Sequence, residues 1–154
     1  MKRLLLTASA SAILAISAGS TIHPFGSPKK RGADSPLFEN AKMDDDVRRI
    51  FERSCASCHS EKTEWPWYGY VAPMSWMIER DVVEAREHMN LSRWPSYPAQ
   101  RRLEMLGQIG AMVRGHLMPP SRYLALHPEA KLSEVEVDIL YKWERAERTR
   151  LKSQ

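Results

Sequence analysis

The stretch FERSCASCHSEKTEWPWY, residues 51–68, contains both cysteines of this 154-residue chain. Cys55 and Cys58 are three positions apart, and His59 follows the second cysteine directly. On a helix, residues three and four positions apart share a face, so Cys58 and His59 would both lie beside Cys55. Two thiols and one imidazole are therefore expected to project from one short surface.

C-x-x-C-H is the attachment pattern of a c-type haem. It predicts one covalently bound haem c per chain, with Cys55 and Cys58 as the attachment residues and His59 as the proximal iron ligand. A thioredoxin-like redox pair would belong to a βαβ unit, and the sequence shows no convincing alternating strand. A structural zinc site needs about four ligands, but the chain has no second cysteine pair.

The first 22 residues have the composition of an export signal. A basic start, MKR, precedes the apolar run LLLTASASAILAISA and the small residues GS. This order predicts a secretory signal peptide cleaved near residues 18–20. The uncharged run 4–22 also approaches the length of a membrane span, so an uncleaved inner-membrane anchor is the alternative. Either interpretation predicts a periplasmic protein and implies the haem attachment machinery as a partner.

Charge and composition divide the rest of the chain. Residues 23–42, rich in Pro, Gly, Ser and charge, are predicted to be a linker, and residues 43–154 a haem-binding domain. The net charge is +4, but 17 basic and 17 acidic side chains balance from residue 43 onward. Because nucleic-acid binding needs clustered positive charge, the sequence excludes nucleic acid as a partner.

Apolar periodicity predicts an all-α domain. A capping box at Ser133 and Glu136 marks the start of its last helix. The expected architecture is a small cytochrome c-like helical domain with long ordered loops around one haem, preceded by an N-terminal apolar helix. Long loops are uncommon in a small domain, so a bound group is expected to organise them. The four helical segments predicted in the domain are 44–58, 74–90, 98–114 and 134–151.

The sequence specifies the second axial ligand of the haem iron less closely than the first, His59. Met118 lies in GHLMPPSRY, and the two prolines after it stiffen this loop. Five other methionines fall on predicted helices, where core packing is expected: Met74, Met77, Met89, Met105 and Met112. His116 is the first histidine alternative, followed by His88 and His127. The second ring nitrogen of His59 is expected to donate to a loop carbonyl near residue 66 or 73.

Several motifs together resemble a known family. CASCHSEKTEWPWY, APMSW, NLSRW and GHLMPPSRYLALHPEAKLS are similar to motifs of the bacterial haem-binding domain family of small exported c-type cytochromes. The resemblance covers about residues 40–145. It implies one covalent haem held by Cys55 and Cys58, with His59 proximal and Met118 distal.

These features favour a monohaem cytochrome that carries single electrons between periplasmic or membrane redox proteins and performs no bond chemistry. Histidine and methionine ligation would raise the reduction potential and suit this role. A haem-based sensor or gas-binding module is one alternative. A small periplasmic peroxidase-like enzyme is another, with His116, Arg114 or Arg122 as distal groups. A structural or partner-binding subunit is a third.

Overall fold

The structure is a computed structural model that describes residues 2–26 and 36–153. All regular secondary structure in these two ranges is helical, which confirms the all-α prediction. Residues 27–35 of the predicted linker lie outside the described residues. The α-helices are α1 (Lys2–Gly19), α2 (Asp45–Ser54), α3 (Ala56–His59), α4 (Met74–His88), α5 (Ala99–Arg114), α6 (Ser121–Leu124) and α7 (Glu134–Lys152). The short 3-10 helices are Trp67–Tyr70, Leu91–Ser96 and Pro128–Ala130.

Side-chain caps fix where two of the main helices, α2 and α7, begin. The Asp44 carboxylate accepts a hydrogen bond from the Val47 N–H at 2.9 Å and starts α2. Ser133 and Glu136 form the predicted capping box at the start of α7. The predicted helix 44–58 is interrupted at Cys55, whose φ of −129° leaves the helical region. The interruption separates α2 from α3 and gives the C-x-x-C-H motif its own helical turn.

The core is built around four aromatic rings. Phe38, Phe51, Trp94 and Trp143 are buried, and Phe38 lies in the middle of the group. The centroid of its ring is 4.7 Å from Phe51, 4.8 Å from Trp94 and 5.1 Å from Trp143. These distances are typical of favourable tilted and edge-to-face packing. The cluster joins α2, α7 and the Leu91–Ser96 turn to the chain that precedes α2.

The segment before α2 is also bound to α7 by polar contacts. The Trp143 indole N–H donates to the Lys42 carbonyl at 2.9 Å, and Arg150 donates to the Asn40 carbonyl at 3.2 Å. Arg150 also forms an ion pair at 2.5 Å with Glu147, which is buried. Residues 36–42 are thus packed against the helical domain, although they belong to the predicted linker 23–42.

The end of α1 lies against α4. The Trp76 indole nitrogen is within hydrogen-bonding distance of the Gly19 and Ile22 carbonyls, at 3.1 and 2.9 Å. His23 Nδ1 lies 2.5 Å from the buried carboxylate of Glu79. Among the helices that the structure describes, none combines the length and the apolar character needed to cross a membrane.

Candidate functional site

The turn α3 brings the three predicted haem-binding residues together. Cys55 lies at its N-cap, and the His59 N–H donates to the Cys55 carbonyl at 3.0 Å. Cys55 and Cys58 are free, partly buried thiols. Burial raises the pKa of Cys55 to about 12 and that of Cys58 to about 11, so both sulfurs are protonated at neutral pH. Two thiols and one imidazole therefore belong to a single turn, as the motif predicts.

One nitrogen of His59 is already engaged by the protein. Nδ1 lies 3.1 Å from the Met89 carbonyl, at the end of α4. Burial lowers the pKa of His59, so the imidazole is neutral and Nδ1 carries the donated proton. The lone pair of Nε2 is then left for a metal, and the ring orientation is fixed. The sequence prediction of a carbonyl near residue 66 or 73 is wrong, because α4 returns past α3 and its C-cap residue, Met89, presents the carbonyl instead.

The chain after His59 is fastened back onto α3 and α4. The Ser60 hydroxyl donates to the Ala56 carbonyl at 2.7 Å, and the Thr63 hydroxyl donates to the Ser57 carbonyl at 2.6 Å. The Arg86 guanidinium, on α4, donates to the Ser60 carbonyl and to the Thr63 hydroxyl, both at 2.9 Å. These bonds hold α3 in place without using its cysteines or histidine.

Two loops meet beside Cys58. The Tyr68 hydroxyl, from the first loop, lies 2.5 Å from His127 Nε2 in the second. The Tyr123 ring stacks on His127 with centroids 4.3 Å apart. Burial, followed by the Cys58 thiolate that forms at high pH, raises the pKa of Tyr123 to about 12. Aromatic side chains therefore border the cysteine turn.

An ion pair ties the second loop to α4. The Arg122 guanidinium donates to both carboxylate oxygens of Asp81, at 2.8 and 3.2 Å. Such two-point contacts are geometrically specific. Asp81 and Arg122 both act electrostatically on Cys58, so the pair lies close to the site. Sequence reasoning missed this pair because its members are 41 positions apart and no local pattern relates them.

Met118 lies on the segment that this ion pair fastens, between α5 and α6, with 40% of its surface exposed. Two of the three histidine alternatives have other partners. His127 contacts Tyr68 and Glu129 through its two ring nitrogens. His116 is exposed, and its Nε2 lies 3.7 Å from a Glu134 carboxylate oxygen.

Two methionines on helices depart from the sequence prediction of core packing. Met105 is buried, as expected, but Met77 is 39% exposed and Met112 is 40% exposed. Met77 is on α4, one turn before Asp81, whereas Met112 is on α5. Periodicity placed both on helices but did not show which neighbours would cover them.

Apolar side chains are exposed along both loops that border the site. Large exposed apolar patches on a protein commonly mark binding surfaces. Together with two free thiols and the neutral imidazole of His59, they give the donors and the apolar wall that a covalent haem requires. The chemistry of these residues therefore fits a haem. The exposed apolar side chains of these loops and of the neighbouring first turn of α4 are Trp67, Tyr70, Val71, Met77, Leu117, Met118 and Leu126.

Comparison with known proteins gives a family. Residues 16–146 match the haem-binding domain family, so the chain belongs to that family and is a haem-binding protein. This confirms the resemblance seen in the sequence motifs. The chain is also 27% identical over 112 residues to the cytochrome c peroxidase Ccp of Escherichia coli strain K12. That alignment covers 71% of this chain but 23% of the peroxidase, so the chain spans less than a quarter of that relative. No solved structure matches the chain.

Proposed function

We propose that this protein is a periplasmic monohaem c-type cytochrome that carries single electrons. Cys55 and Cys58 attach the haem covalently, His59 is the proximal ligand and Met118 is the distal ligand. The observation that carries the proposal is the turn α3. It presents both thiols beside an imidazole whose Nδ1 is engaged by the Met89 carbonyl at 3.1 Å, which leaves Nε2 for iron.

The residues of this chain position and tune the cofactor. A bound haem supplies reversible one-electron chemistry at its iron. The Met89 carbonyl fixes the ring of His59 and increases the basicity of Nε2. The aromatic side chains of the two bordering loops would cover part of a bound haem and keep water from it. A sulfur ligand raises the reduction potential, which suits electron transfer.

Met118 is the distal ligand that fits best. His127 is held by Tyr68 and Glu129, and the Nε2 of His116 lies 3.7 Å from a Glu134 carboxylate oxygen. Met118 is exposed on the segment next to the Arg122–Asp81 pair, which acts on Cys58, and this placement supports Met118 as the distal ligand.

The signal-like composition of residues 1–22 supports export to the periplasm. There the haem attachment machinery would act on Cys55 and Cys58, and periplasmic or membrane redox proteins would be the electron partners. We assign no substrate chemistry to this chain.

A peroxidase-like role is the second candidate, because a part of the chain resembles part of a cytochrome c peroxidase. Two of its expected distal groups already have partners within the chain. Arg114 lies 4.4 Å from the centroid of the Tyr141 ring, and Arg122 pairs with Asp81. Peroxide turnover at catalytic rates would favour this second candidate.

Covalent attachment is tested first. The full-length protein, expressed with a haem attachment system, should keep its haem on a denaturing gel stained for haem peroxidase activity. Replacement of both Cys55 and Cys58 by Ser should abolish the stained band while the protein band remains. A stained band that survives the double substitution would overturn the attachment.

The distal ligand is tested by absorption spectroscopy of the oxidised and reduced protein. Met118→Ala should remove the sulfur-to-iron charge-transfer band of the ferric protein and should let carbon monoxide bind the reduced protein. Met112→Ala is the matched control, since Met112 is equally exposed, at 40%, but lies on α5. Retention of the band in Met118→Ala and its loss in Met77→Ala would transfer the assignment to Met77.

A further inference from the structure

Apart from the candidate haem site, a concave surface lies along the seam between α5 and α7. It encloses about 400 Å³, which is within the usual range of small-molecule sites. Four basic side chains and one acidic side chain line it, so its net formal charge is +3. None of Cys55, Cys58, His59 and Met118 lines this cleft. The residues on which the argument depends are Arg114, Tyr141, Glu144, Arg145, Arg148 and Lys152.

We propose that this cleft binds a phosphate-class oxyanion, either a free phosphate or pyrophosphate or the phosphate of a lipid headgroup. The positive charge is local, because basic and acidic side chains balance from residue 43 onward. Arg114, Arg145 and Lys152 form no ion pair with any carboxylate in the part of the chain that the structure describes. Guanidinium groups without a carboxylate partner are suited to binding phosphate oxygens.

The aromatic ring of Tyr141 holds two of the arginines in position. The Arg114 guanidinium carbon lies 4.4 Å from the ring centroid and that of Arg145 lies 5.7 Å from it. Arg145 also donates to the Tyr141 hydroxyl at 3.3 Å. Hydrogen bonds from Arg145 and Arg114 lower the pKa of Tyr141, which reflects the positive potential of the cleft. A guanidinium stacked on a ring keeps N–H groups available at its edge, so part of the ordering cost of binding is already met.

Small residues of α5 leave space for the charged groups of α7. A Cβ atom at Gly110 would lie 2.8 Å from a Glu144 carboxylate oxygen, and one at Gly107 would lie 3.6 Å from the Arg148 guanidinium. Glu144 is 2% exposed, and burial raises its pKa. Its second carboxylate oxygen is 3.8 Å from Arg148 and makes no hydrogen bond. The single acidic group of the cleft is therefore recessed below the basic groups, which remain at the surface.

The experiment is isothermal titration of the full-length protein with pyrophosphate and, separately, inorganic phosphate at low ionic strength. Saturable binding is expected, and added salt should weaken it because the cleft is open to solvent. Arg145→Gln and Lys152→Gln should each weaken binding about tenfold, since each removes a charge-assisted contact. Neither residue forms an ion pair with a carboxylate of the described chain, so both variants are expected to fold.

Lys142→Gln is the matched control. Lys142 is also on α7, but it is 74% exposed and pairs with Asp138 at 2.6 Å outside the cleft. Its replacement removes the same charge and should change the affinity by less than about twofold. Sedimentation with phosphatidylglycerol vesicles, against phosphatidylcholine vesicles, distinguishes a lipid-borne phosphate from a free one. The proposal is overturned if neither ligand source binds, or if Lys142→Gln weakens binding as much as Arg145→Gln.

Discussion

Phe38 offers a direct test of whether the chain before α2 belongs to the folded domain. Its side chain is 2% exposed, and its ring packs against three other aromatic rings within 5.1 Å. Truncation of a buried Phe to Ala typically costs about 3–5 kcal/mol, because transfer energy is lost and a cavity remains. Loss of the ring–ring contacts adds to this cost. We therefore expect Phe38→Ala to lower the free energy of unfolding by about 4 kcal/mol.

The assay is urea unfolding monitored by circular dichroism. With a denaturant slope of about 1–3 kcal/mol per molar for a small domain, the midpoint should fall by more than about 1 M. Phe25→Ala is the control, since Phe25 is 45% exposed and should lose less than about 0.5 kcal/mol. The reasoning is refuted if Phe38→Ala loses less than about 1 kcal/mol, or no more than Phe25→Ala.

Three further perturbations test individual contacts. Glu136→Gln keeps the helix cap but breaks the 2.8 Å ion pair with Arg53. This partner holds the pKa of Glu136 at about 2, so its contribution is present above pH 4.5 and is lost as the pH falls through 2. Urea unfolding should show a loss of about 1–2 kcal/mol at neutral pH that shrinks steadily as the pH falls through 2, and a loss that stays undiminished in acid would contradict this cause. Arg122→Gln removes the two-point contact with Asp81. Amide hydrogen exchange across residues 115–126 should then accelerate about tenfold. Unchanged exchange would show that the pair does not fasten the loop. Trp76→Phe keeps an aromatic ring but loses the indole donor to the end of α1, and limited proteolysis after residue 19 should become faster; an unchanged cleavage rate would count against this docking contact.

Local sequence patterns were sufficient to predict the helices and the candidate haem turn. The capping box at Ser133 and Glu136 involves residues three positions apart, so this helix start can be recognised in the sequence without knowledge of the fold. The same is true of Cys55, Cys58 and His59, which share a short helical turn in the structure. Apolar periodicity likewise located the four main helical segments, although it did not detect the interruption at Cys55.

Contacts between distant parts of the chain could not be predicted from local sequence patterns. The partner of His59 is a backbone carbonyl 30 positions away, and a carbonyl has no sequence signature. Phe38 follows a stretch rich in proline and charge, yet it packs at the centre of the aromatic core. The Arg122–Asp81 and Tyr68–His127 contacts also join residues more than 40 positions apart.

Spacings of three or four residues therefore predicted the main helices and the side chains that are candidates for haem attachment, because both features are local. The packing of the folded chain revealed three features that no local spacing predicts: the orientation of the His59 ring, the burial of Phe38 and the convergence of basic side chains between α5 and α7. These features depend on how whole helices pack against one another, and packing is set by the combined shape and charge of faces that are distant in the chain.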